Sequence, residues 1–195
     1  MNLKTNISES ISLRKKLILE SKKINNFIDK IYAVIVNNKK ILICGNGGSA
    51  ADADHLSTEY IVRLKKKNNR VPLKFFSLTF NIATITATAN DYSYDQIFSR
   101  NLESIGEEGD LLIVLSTSGN SKNILSVLKK AKKKKINTMG WLGSGGGLAK
   151  KYCEDKIIIK SNLTARIQEE HKFLGHYIFD IVEQKLIENG KIKII

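Results

Sequence analysis

Residues 41–59 read Ile41-Leu42-Ile43-Cys44-Gly45-Asn46-Gly47-Gly48-Ser49-Ala50-Ala51-Asp52-Ala53-Asp54-His55-Leu56-Ser57-Thr58-Glu59. The apolar run Ile41–Cys44 reads as a buried strand, the glycines as a turn, and the residues after them as a helix. Strand, glycine turn and helix start together build an anion site. Glycines let backbone N–H groups approach an oxyanion, and the helix start adds the positive end of its dipole. The stretch completes neither the G-x-G-x-x-G of dinucleotide folds nor a P-loop, because no Gly-Lys-Ser/Thr follows. On the new helix, His55, Glu59 and Arg63 stand at i, i+4 and i+8. That spacing puts a metal-type ligand, a carboxylate and a guanidinium on one face. The plainer reading is an ordinary turn and a surface histidine, so the rest of the chain has to decide.

A second run, Leu111–Ser116, ends in Ser116-Thr117-Ser118-Gly119-Asn120-Ser121, and a helix is predicted from Ser121 to Lys134. One N-cap needs one hydroxyl, and four are in excess. Hydroxyls and free N–H groups at a helix start make a second oxyanion cradle. Further runs at Leu73–Leu78, Ile136–Leu142 and Lys156–Lys160 complete five. Continuous apolar strands alternating with helices predict an α/β fold: a doubly wound, five-stranded parallel sheet of flavodoxin-like type. Ligands of such a sheet bind at the C-terminal strand ends. The only proline, Pro72, precedes the second strand.

Residues 6–36 predict one long helix, with Ile7, Ile11, Arg14, Ile18, Ser21, Ile28, Ile31 and Ile35 at a spacing of three to four. Its apolar face exceeds what one domain edge needs, which suggests subunit packing. Thr164–Asn189 predicts a second long helix, with Thr164 as N-cap and Ile167, Leu174, Ile178, Ile181 and Val182 buried. On it, Gln168 and His176 differ by about 80° around the axis and share a flank. With His55 and Glu59 they form a set that zinc accepts, the amide being an unusual ligand. Asn90-Asp91 ends the helix after strand two and either caps it or enters the same crevice. Gly143–Gly147 reads as a flexible turn.

The 195 residues suit one domain, 1–195, with 1–37 as a packing segment ahead of a core from 38. No apolar run reaches the ~18–20 residues of a membrane span, and Cys44 and Cys153 make no metal or redox spacing. A reduced cytoplasm is the expected setting. The net charge of +13 raises nucleic acid as a partner. The excess lies in lysine runs without interleaved aromatic residues, at 65–67 and 129–135, and this argues against that partner.

Together Gly45–Ala53 with His55 and Glu59, Ala89-Asn90-Asp91-Tyr92, Ser116–Ser121, and Thr164–Glu169 with His176 resemble the phosphoheptose isomerases, which are sugar-isomerase (SIS) domain enzymes. The resemblance covers nearly the whole chain in order. It implies conversion of sedoheptulose 7-phosphate to D-glycero-D-manno-heptose 7-phosphate, toward lipopolysaccharide core or capsule. It further implies a cytoplasmic homotetramer with active sites at subunit junctions. By the same resemblance Ser116, Thr117, Ser118 and Ser121 hold the phosphate. Asn46, Gly47, Gly48, Ser49, Glu59, Arg63, Asn90, Asp91 and Gln168 line the sugar. His55, Glu59, Gln168 and His176 bind one zinc per subunit. Glu59 as base and His176 as acid would carry the chemistry. Ala165 and Asn81 stand where some members carry Asp, a subfamily difference. A non-catalytic SIS adaptor and a sugar-phosphate sensor are the alternatives, and neither needs the acid/base pair.

Overall fold

Strand residues alternate their side chains between two faces, and in the runs Ile41–Gly45 and Leu111–Ser116 every residue on both faces is buried. Only a sheet covered on both sides buries such strands. The computed structural model describes residues 2–79 and 81–195. It forms one five-stranded sheet in the order β2-β1-β3-β4-β5, all parallel. The strands are β1 (Ile41–Gly45), β2 (Phe75–Ser77), β3 (Leu111–Ser116), β4 (Asn137–Leu142) and β5 (Asp155–Ile158). The helices are α1 (Leu3–Leu17), α2 (Ser21–Val36), α3 (Gly48–Ile61), α4 (Ile82–Asp91), α5 (Ile97–Ile105), α6 (Lys122–Lys133) and α7 (Thr164–Glu188). Ile41, Ile43, Ile113 and Trp141 face α2, α3 and α7, whereas Leu42, Cys44, Val114 and Leu142 face α5 and α6. The expected doubly wound parallel fold is therefore present.

The first helix departs from expectation. A 3₁₀ turn at Ile18–Glu20 divides it, and the Ser21 hydroxyl donates to the Ile18 carbonyl there. A hydroxyl that bonds the preceding turn competes with the helical ladder. The stripe also lies differently: α1 buries Leu13 and Leu17, while Ile7, Ile11 and Ile18 are exposed. β2 is shorter than the run Leu73–Leu78 because the chain before it pairs elsewhere. Val71 N–H donates to the Lys193 carbonyl at 3.1 Å, and Arg70 bridges Ile194. Thr164 is the first residue of α7 and not its cap, since Leu163 holds the cap position without a side-chain bond. Ile181 is only half-buried.

His171 on α7 is fully buried, and neither ring nitrogen has a hydrogen-bond partner among the described residues. Burial pulls its pKa from 6.5 down to about 4. The unfolded chain therefore takes up a proton below pH 6.5 that the folded chain refuses until about pH 4. Stability is full above pH 6.5 and falls as the pH drops. By pH 5 the loss reaches about 2 kcal/mol. Urea unfolding at pH 7.5 and pH 5 should show it, and His171→Leu should flatten that slope. An unchanged slope in the variant would remove His171 as its source.

Candidate active site

β1 lies between β2 and β3, so the loops leaving the C-terminal ends of these strands are neighbours. Chain order reverses at β1 and β3, the switch point where such sheets open a crevice. In the first loop Gly47 holds φ 54° and ψ −122°, a conformation glycine adopts freely. Gly48 leaves no room for a side chain, because a Cβ there would lie 2.7 Å from Gln168 Nε2. The start of α7 thus closes onto the start of α3, and Gln168 Nε2 donates to Ser49 Oγ at 3.4 Å. Asn46, between β1 and α3, exchanges two amide hydrogen bonds with Asn123 of α6, at 2.9 and 2.7 Å.

The second loop carries the hydroxyl cluster. Ser116 Oγ accepts the Gly119 N–H at 3.0 Å, and Ser118 Oγ accepts the Asn120 N–H at 3.1 Å. Ser121 precedes α6 without a side-chain capping bond, so capping does not account for its hydroxyl. Gly119 has φ 64°, and a Cβ there would stand 2.1 Å from the Gly146 carbonyl. Gly143–Gly147 is accordingly not a free turn. A Cβ on Gly147 would meet the Ser118 carbonyl at 2.5 Å, and the Ala149 N–H donates to the Gly119 carbonyl at 2.8 Å. The glycine run braces the hydroxyl loop from behind. Near the third loop, Asn90 and Asp91 end α4, both exposed, with Asn90 Nδ2 donating to Asp91 Oδ1 at 2.8 Å.

Further along the α3–α7 seam, Lys172 pairs with Asp52 at 2.9 Å, and the histidines then meet. His55 Nε2 lies 2.9 Å from His176 Nε2 and 3.5 Å from Glu59 Oε1. The ligand atoms of His55, Glu59 and His176 all fall within 4.8 Å of one another. Two imidazole nitrogens with facing lone pairs repel unless a proton or a cation lies between them. Two imidazoles and a carboxylate make a donor set suited to a zinc-like ion. Gln168, two turns earlier on α7, directs its amide at Ser49.

Arg63 does not extend this face. α3 ends at Ile61, Val62 leaves helical geometry, and Arg63 is exposed beyond it. The helix stops because Arg70 takes its last carbonyls: Nη2 donates to Glu59 O at 2.9 Å and Nη1 to Tyr60 O at 2.8 Å. Arg70 Nε also donates to Glu183 Oε1 of α7 at 2.6 Å, in a pair with no side-chain exposure. Arg70, Glu183 and Asn123 escaped the sequence reading because their partners are remote in the chain. The only signal for Asn123 was an amide two residues beyond Ser121 in a loop already suspected. Both cysteines are buried, and burial pushes the Cys153 thiol up to about 12 and Cys44 higher, so neither is a ready nucleophile.

The SIS domain family model matches residues 7–143. A phosphoheptose isomerase of Clostridium acetobutylicum is 41% identical over 188 residues, covering 94% of each chain. This chain belongs to the phosphoheptose isomerase family. Another phosphoheptose isomerase, of Campylobacter concisus, is 40% identical over 186 residues, covering 93% of this chain and 97% of its own. The solved phosphoheptose isomerase of Francisella tularensis superposes with a TM-score of 0.88 at 30% identity, over 93% of this chain and 96% of its own. The phosphoheptose isomerase of Neisseria gonorrhoeae gives 0.86 at 30% identity, over 93% and 97%. The paired cradles, the α3–α7 seam and the closing long helix thus belong to a phosphoheptose isomerase scaffold.

Proposed function

We propose that this chain isomerises sedoheptulose 7-phosphate to D-glycero-D-manno-heptose 7-phosphate through an enediol. The observation that carries the reading is the cluster formed by His55 and Glu59, on the helix that starts from the first cradle, with His176 of α7, whose Gln168 also reaches that cradle. Moving a ketone to an aldehyde shifts one proton between adjacent carbons. The shift needs a base for the carbon-bound proton and an acid for the oxygen. Glu59 is the base, and His176 donates to the carbonyl oxygen. Ser116, Thr117, Ser118 and Ser121 hold the phosphate. Asn46, Gly47, Gly48, Ser49, Asn90, Asp91 and Gln168 line the sugar, with Arg63 reaching in from beyond α3.

Zinc, one per subunit, suits His55, Glu59 and His176 with Gln168 as a fourth ligand, and when bound it polarises a carbonyl and stabilises developing negative charge. A cation beside Glu59 favours the ionised carboxylate and weakens it as a base, so Glu59 takes the proton in its unligated form. The reading includes a cytoplasmic homotetramer with active sites at subunit junctions, supplying heptose for lipopolysaccharide core or capsule. The exposed Ile7, Ile11, Ile18 and Leu19 at the N-terminal end support packing between copies. No helix of the described residues is long and apolar enough to cross a membrane.

The test incubates purified protein with sedoheptulose 7-phosphate, with and without zinc, and follows the aldose phosphate by NMR. Product establishes the isomerase. Saturable binding without product would favour a sensor, and neither would favour an adaptor. In the same assay Gly119→Ala should raise KM at least about tenfold. A methyl group at this left-handed position strains the backbone and drives the hydroxyl loop off its brace. An unchanged KM would remove that loop from phosphate binding.

A further inference from the structure

Tyr94, in the 3₁₀ turn before α5, donates its hydroxyl to Asn46 Oδ1 at 3.0 Å. Asn123 Nδ2 donates to the same oxygen at 2.7 Å. Both lone pairs of the Asn46 carbonyl oxygen are then engaged. The orientation is pinned from outside the pair. The backbone N–H of Ile124 donates to Asn123 Oδ1 at 2.9 Å, which fixes which end of the Asn123 amide is oxygen. Asn46 Nδ2 must therefore face Asn123 Oδ1, at 2.9 Å, and its second N–H remains. Asn123 is buried, whereas Tyr94 stands exposed at the edge of the crevice. One residue each from the first loop, the second cradle's helix and the segment after Asn90-Asp91 meet at this point.

Resting on the isomerase reading above, we propose that Tyr94 and Asn123 are positioning residues that make Asn46 a donor only. The Asn46 amide then offers a single N–H to an acceptor oxygen of the sugar phosphate, and it cannot accept from a sugar hydroxyl. Without the Tyr94 hydroxyl, Asn46 Oδ1 regains acceptor capacity and the amide loses one of its two constraints. Asn123 is too deeply buried for a safe first variant, so Tyr94→Phe carries the test.

Wild type, Tyr94→Phe, Asn46→Ala and the double variant are assayed with sedoheptulose 7-phosphate, their melting temperatures being measured alongside. Tyr94→Phe should raise KM about fivefold, the worth of one neutral hydrogen bond, with kcat within about twofold. In the Asn46→Ala background the same change should do nothing further, because Tyr94 acts through Asn46. An unchanged KM in Tyr94→Phe, or an equal loss in the Asn46→Ala background, would overturn the proposal. A wild type that forms no product would instead overturn the isomerase reading. The four proteins are then compared by calorimetric affinity for the same sugar phosphate, with the same two criteria. A wild type that does not bind it removes both.

Discussion

Glu59→Gln is expected to lower kcat for sedoheptulose 7-phosphate about a thousandfold, roughly 4 kcal/mol of barrier, with KM changed little. Glutamine keeps the volume and the hydrogen-bonding ends of the side chain but cannot take a proton from carbon. The backbone of residue 59 is unaffected, because Arg70 holds its carbonyl whatever the side chain. Glu59 Oε1 also stands 3.5 Å from His55 Nε2, so the loss of charge alters the cluster itself. Zinc titration into the variant should therefore give weaker binding than into wild type, a readout independent of turnover. Steady-state kinetics with the melting temperature measured alongside separates chemistry from folding. Near-normal kcat in a folded Glu59→Gln protein would end the role of Glu59 as base.

Arg70→Ala should destabilise the fold by about 3–5 kcal/mol, because it leaves the Glu183 carboxylate buried without its cation. In a chain of this size that is about 10 °C of melting temperature. The damage reaches the crevice as well. Arg70 joins the end of α3, which carries His55 and Glu59, to α7, which carries His176. Asn68 Nδ2, donating to Glu183 Oε2 at 2.7 Å, is the partner that remains. Removing both charges together as Arg70→Met with Glu183→Leu should recover much of the stability, since an apolar pair carries no desolvation cost. Calorimetry on the single and double variants decides it. A single variant that melts with wild type would show the pair to be dispensable.

The positions of the glycine loop and the hydroxyl loop were legible because their pattern is local. A glycine or hydroxyl cluster between a strand and a helix is read within ten residues, and the structure puts both at the same sheet edge. Parallel pairing was legible too, since Leu111–Ser116 and Ile41–Cys44 are apolar on both faces. Where a side chain's partner is remote, the pattern is silent, as it is about Arg70. Periodicity picked out Arg63, yet the helix ends before it, and Arg70 does the structural work through Glu183, 113 residues away. The stripe on α1 misled for a related reason. Two apolar faces compete there, and only contact with α7 and α2 decides which is buried. Gly143–Gly147 read as a loose turn because composition cannot distinguish glycines that permit motion from glycines that permit contact.

The order of synthesis gives the Arg70–Glu183 pair a further meaning. All five strands have been made by residue 158, but Arg70 holds the Glu59 and Tyr60 carbonyls near the end of α3, and Glu183 balances its buried charge. Residues 193 and 194 then pair beside Arg70. On the ribosome, therefore, the sheet can assemble while the crevice cannot. The helix bearing Glu59 is locked against the one bearing His176 only after α7 has emerged with Glu183, well after the strands, so the crevice closes later than the sheet.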